Sequence, residues 1–113
     1  MEKQKQEIQT LKRKIDWLGD MVTGWGCGYI GIPKGHPWYG KEYADIEADV
    51  HGRLTYASFD NPSAKPKSTQ DGLWWIGFDC AHGGDTPINC PEIYVDQQIE
   101  KLKQQAIKAY GTQ

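Results

Sequence analysis

The stretch LWWIGFDC, residues 73–80, is apolar on both alternating faces until it reaches Asp79, and this limits the fold more than any other part of the chain. A strand with no face for water belongs in the middle of a sheet and is covered on each side. At 113 residues the chain has room for one hydrophobic core and no second one. The economical solution is an α+β fold, a small antiparallel sheet of three to four strands flanked by N- and C-terminal amphipathic helices.

The flanking helices are read from periodicity. Ile8, Leu11, Ile15, Leu18 and Val22 recur at alternating spacings of three and four, with Lys, Gln, Glu and Arg between them. This predicts a coiled-coil-like helix over residues 1–23, closed by Gly24, Gly26 and Gly28. Such a helix is too short and polar to stand alone in water, so it packs on its own core or on a second copy of the chain. Residues 24–113 then form a single α+β domain. Its C-terminal helix, residues 94–110, aligns Val95, Ile99, Leu102, Ala106 and Ala109 on one face, with Asp96 near its start and lysines in its later turns. Between the helices, GYIGIP (28–33) reads as a short strand. YADIEADV (43–50) and RLTYASF (53–59) read as a hairpin joined at His51-Gly52. NPSAKPKSTQDG (61–72) is polar, carries two prolines and reads as an exposed loop.

Charge narrows the classes of partner. Thirteen Lys and Arg against fifteen Asp and Glu leave a formal charge of −2, which advertises neither a nucleic-acid surface nor a membrane surface. The polar N-terminal stretch lacks the apolar centre of a signal peptide, and no run of eighteen apolar residues occurs, so the expected location is the cytoplasm. Thiols there stay reduced. Cys27, Cys80 and Cys90 are odd in number and form no CxxC pair, so neither a disulfide framework nor a zinc knuckle is indicated; pairing of Cys80 with Cys90 is a question for geometry. Five Trp and six Tyr exceed what a small core needs, and some are expected to face a pocket or a partner.

Two constellations carry candidate chemistry. The first is the end of the central strand, DCAHGGD, where Asp79, His82 and Asp85 leave the sheet at a Gly-Gly loop; His51 at the hairpin turn is expected near the same edge. Two imidazoles and two carboxylates suit zinc, manganese or iron with an open position for water activation, although no HExxH-type spacing occurs. The same groups without metal would hydrogen-bond hydroxyls or a phosphate. As the plainest alternative, the aspartates cap their loop and the histidines serve packing. The second constellation is GIPKGHPWYGKEY (31–43), a stiff loop presenting Lys34, His36, Trp38 and Tyr39, which suits a flat ring with a phosphate beside the cation. The competing reading folds Trp38 back onto the sheet.

With GYIGIPKGHPWYG, VHGRLTY and WWIGFDCAHGGD in this order, the chain resembles a family of small bacteriophage and prophage proteins whose motifs look like PKGHPxYG, VHGGLTY and GFDCAHxGD. The likeness spans residues 24 to about 110. It departs at Arg53, where the family pattern suggests glycine. The resemblance supplies no reaction, but it implies a context in which small phage proteins trap nucleotide-derived immune signals. The leading expectation is a homo-oligomeric phage protein that binds a small polar ligand through Lys34, His36, Trp38, Tyr39, His51, Arg53, Thr55, Asp79, His82 and Asp85. The cofactor is left open. The alternatives are a metal-dependent hydrolase using His51, Asp79, His82 and Asp85, and an interaction protein that inhibits a host defence protein.

Overall fold

A computed structural model describes residues 7–111. Four antiparallel strands form one sheet: β1 (Gln9–Lys14), β2 (Gly26–Ile32), β3 (Tyr56–Asp60) and β4 (Gln70–Asp79), in the order β1-β2-β4-β3. Among the described residues one α-helix, α1 (Glu92–Tyr110), lies across one face. The α+β class and the C-terminal helix therefore stand. No helix among the described residues is long and apolar enough to cross a membrane.

The alternation of residues in β2 and β4 sorts the two faces. Ile30, Ile32, Trp74, Ile76 and Phe78 point to the helix side and pack with Val95, Ile99, Leu102 and Ala106 of α1, all buried. Their neighbours Cys27, Tyr29 and Trp75 point the other way, where Leu11, Ile15, Tyr56 and Leu73 gather around them. Gly77 pairs with Tyr29 on one side and Tyr56 on the other. A β-carbon at Gly77 would run into the Tyr29 ring. The glycine is therefore the slot through which the two tyrosines meet edge to face, at 5.3 Å between ring centres.

The N-terminal helix flanking the sheet is not present in the described residues; residues 1–6 lie outside them. Gln9–Lys14 is instead an edge strand paired with β2, and the physical reason is hydrogen bonding. An isolated helix of this polarity is marginal in water, whereas the open edge of β2 satisfies a full strand of backbone groups. The apolar seam is divided accordingly: Ile8 enters the helix-side core, Leu11 and Ile15 cover the opposite face, and Val22 is exposed.

The predicted hairpin is also replaced. Residues 43–50 form a short 3-10 turn, Tyr43–Asp45, followed by irregular chain, and β3 pairs with β4. The inward residues Ile46 and Val50 are buried as their alternation suggests. What displaces the strand is α1: the Gln105 side chain takes the Asp49 N–H and donates to its carbonyl, and Gln98 accepts from the His51 N–H. These glutamines supply the partners that a neighbouring strand would have supplied.

Candidate functional site

The end of β4 does converge with the turn at residue 51. Arg53 N–H closes that turn on the Val50 carbonyl, and Gly52 and Arg53 both have positive φ, 65° and 70°. His51 is thereby turned toward the 80–90 loop. Its Nε2 lies 3.0 Å from Asp85 Oδ1, and its Nδ1 lies 2.9 Å from the Tyr94 hydroxyl on α1. The second oxygen of Asp85 accepts the His82 backbone N–H at 2.9 Å and approaches His82 Nδ1 at 3.3 Å.

Asp79 and Thr55 form the outer rim of this cluster. The Thr55 hydroxyl donates to Asp79 Oδ2 at 2.9 Å, while Asp79 Oδ1 accepts the Ala81 N–H at 3.0 Å and lies 3.6 Å from His82 Nδ1. Two residues not counted among the expected site residues stand at its centre. Cys90 Sγ is 3.6 Å from Asp85 Oδ1 and 3.8 Å from His51 Nε2, and Cys80 adjoins Cys90 with both thiols free and buried. The one available signal was their spacing, since Cys80, Asp85 and Cys90 follow at intervals of five.

Electrostatics differ sharply over this short distance. Burial alone would push the Asp85 carboxyl upward, but hydrogen bonds from His51 and the His82 backbone outweigh it and hold Asp85 below its ordinary value. Burial pushes the Cys80 thiol far up, reinforced by the neighbouring Cys90, and Cys90 is raised by burial and by Asp85. In the chain by itself both thiols are protonated at neutral pH. Neither is an activated nucleophile.

The PKGHPWYG loop lies elsewhere. His36 is buried, with Nε2 2.7 Å from the Ala106 carbonyl and Nδ1 accepting the Trp38 N–H at 2.9 Å. One ring nitrogen must donate and the other accept, so the imidazole is neutral with its proton on Nε2. Burial lowers its pKa, in agreement. Ala106 is twelve residues beyond Tyr94, which is about 18 Å along a helix. The loop and the strand end therefore occupy opposite ends of α1 and do not enclose a shared pocket. Trp38 is a core residue, the Tyr39 hydroxyl binds the Gly72 carbonyl at 3.1 Å, and Lys34 and Arg53 are exposed.

A third feature occupies the sheet face opposite α1. A cleft of about 590 Å³ runs between the end of β1 and the 61–67 loop, over the Tyr29–Tyr56 pair. Arg13, Lys14, Lys65 and Lys67 line it, with Asp16 and Asp60 also present. Arg13 is held in place, since its guanidinium donates to the Pro62 carbonyl at 2.9 Å and lies over the Trp17 ring. Burial raises the Tyr29 phenol far above its ordinary range, so it stays neutral. Sequence reasoning missed this cleft because its cations come from a strand read as helix and a loop read as a polar connector. Comparison with protein-family models, curated proteins and solved structures finds no match for the chain.

Proposed function

We propose that this chain is a small-molecule binding protein whose ligand carries phosphate or another compact anionic group and sits in the cleft over Tyr29 and Tyr56. The observation that carries this reading is the cleft's lining: four cations from two separate segments surround two tyrosines in a chain with net charge −2. A net negative protein that concentrates cations in one concavity focuses a local field on a small anion and not on a long polyanion. The volume falls within the ordinary range for ligand pockets, and Lys65 and Lys67 line it from the 61–67 loop.

This reading moves the ligand away from the PKGHPWYG loop. It keeps the class of ligand: a nucleotide-derived signal has a flat ring for Tyr29 and Tyr56 and phosphates for the cations. The proposed context of a phage counter-defence factor rests on the motif resemblance and on this chemistry together. Binding is favoured over turnover because cations and tyrosines dominate the lining, with no histidine or cysteine among its residues.

Calorimetric titration with adenosine diphosphate and with pyrophosphate tests it. Saturable binding that weakens as salt rises is expected, because the attraction is between charges open to solvent. Replacing both Lys65 and Lys67 with alanine should weaken binding about tenfold or more, the effect of losing one to two charge-assisted hydrogen bonds. No heat at millimolar ligand, or equal binding by the double variant, would reject the cleft as the site.

A further inference from the structure

We propose that His51, Cys80, Asp85 and Cys90 hold a zinc ion in a closed, four-coordinate centre that staples the 80–90 loop to the turn at residue 51. The four donor atoms lie within 4.8 Å of one another. Tetrahedral zinc with sulfur, nitrogen and oxygen ligands has donor-to-donor edges of roughly 3.3–3.8 Å. The separations 3.0 Å (His51 Nε2 to Asp85 Oδ1), 3.6 Å (Cys90 Sγ to Asp85 Oδ1) and 3.8 Å (Cys90 Sγ to His51 Nε2) are close to such edges. Two thiolates with one imidazole and one carboxylate form a mixed set of intermediate softness, which favours zinc over magnesium or calcium.

The use of the imidazole separates a metal centre from a Cys-His-Asp catalytic relay. In a relay the nucleophile and the carboxylate engage opposite ring nitrogens. Here Cys90 and Asp85 both meet Nε2, and Nδ1 is engaged by the Tyr94 hydroxyl. With the ring proton moved from Nε2 to Nδ1, where the Tyr94 hydroxyl accepts it, Nε2 would turn a lone pair on the common centre with the ring fixed from behind, as outer partners of metal-bound histidines do. Asp85 Oδ2 accepts the His82 N–H at 2.9 Å and lies 3.1 Å from His51 Nε2, while Oδ1 lies 3.0 Å from His51 Nε2 and 3.6 Å from Cys90 Sγ.

The backbone holds both cysteines in register. Gly24 donates to the Cys80 carbonyl at 2.7 Å and Trp25 to the Cys90 carbonyl at 2.8 Å. A β-carbon on Gly24 would collide with the β-carbons of both cysteines, so this segment can cover them only as glycine. Binding exchanges the two thiol protons for the cation. Four protein donors complete the tetrahedron, and three of them are buried, so no position remains for a reacting water. The centre is structural, and it stands independently of the anion cleft.

Metal analysis of the reduced full-length chain, with replacement of the bound ion by cobalt(II), tests this assignment. One zinc per chain is expected, and the cobalt form should show the strong visible bands of tetrahedral coordination with a thiolate charge-transfer band. Cys90→Ala and Asp85→Asn should lose or shift these bands, and Asp79→Asn should leave them unchanged. Should Cys90→Ala fail to fold, the wild-type spectrum and a fall in melting temperature on chelation keep the question decidable. A folded, reduced wild-type chain that takes up neither zinc nor cobalt would overturn the proposal, as would a Cys80–Cys90 disulfide in the freshly purified protein. A cobalt spectrum that changes on adding azide would overturn the closed geometry and point to the open metal of a hydrolase.

Discussion

His36 shows how much a single residue's surroundings decide. An exposed histidine beside a lysine suits a phosphate, but this one bridges the Trp38 N–H and the Ala106 carbonyl and packs edge-on against Trp38 and Tyr110. Its pKa is depressed by burial from the ordinary value of 6.5. A base with a lowered folded pKa contributes its full stability above the unfolded value. That contribution is lost as the pH falls from about 6.5 through the folded pKa, because the unfolded chain takes up the proton first. Denaturant titrations of wild type and His36→Gln should show the wild type losing more stability between pH 7.5 and pH 5; parallel losses would show that His36 does not titrate as argued. Arg53 is the one non-glycine among the described residues with positive φ. Left-handed backbone costs an L-residue about 1–2 kcal/mol, partly offset by glycine's greater entropy when unfolded. Arg53→Gly should therefore leave stability unchanged or raise it by up to about 1 kcal/mol, read from the shift in denaturation midpoint.

At the scale of elements, the helix and the central strand were legible and the first strand was not. Val95, Ile99, Leu102 and Ala106 repeat over three turns, and all four are buried on α1. Ile8, Leu11, Ile15, Leu18 and Val22 repeat over about four turns, so the length of the period did not separate the two segments; the open edge of β2 took Gln9–Lys14 as a strand, and Val22 is left exposed. In residues 43–50 the alternation correctly marks Ile46 and Val50 as inward, yet burial of alternate residues does not require a strand partner when Gln98 and Gln105 satisfy the backbone. The site was legible in part for a similar reason: His51 and Asp85 were expected to meet, whereas Cys80 and Cys90 lacked a familiar spacing and their fourth partner comes from a distant turn. Because Leu11 and Ile15 cover the sheet face around Trp75 and Tyr29, Leu11→Asp with Ile15→Asp should lower the melting temperature by several degrees or prevent folding. A fully stable variant of lower mass in light scattering would instead mark β1 as an oligomer contact. Gly77→Val should cost roughly 1–3 kcal/mol by forcing Tyr29 out of its slot, and an unchanged unfolding midpoint would contradict the packing described for that face.

Across the whole molecule, the sheet separates two roles. One face carries α1, the main core and the cysteine cluster; the other carries the tyrosine pair and its ring of cations. The helix contacts fix the sheet, and the sheet in turn holds Tyr29 and Tyr56 edge to face beside Arg13, Lys14, Lys65 and Lys67. The proposed function confines ligand chemistry to the face opposite α1. The most direct test is mapping of backbone amide shifts during titration of the isotope-labelled chain with adenosine diphosphate. Saturating shifts are expected at Arg13, Tyr29, Tyr56 and residues 61–67, with residues 34–39 and 79–85 unaffected. Shifts centred on His36 and Trp38, or on Asp79 and His82, with a silent tyrosine face, would contradict it.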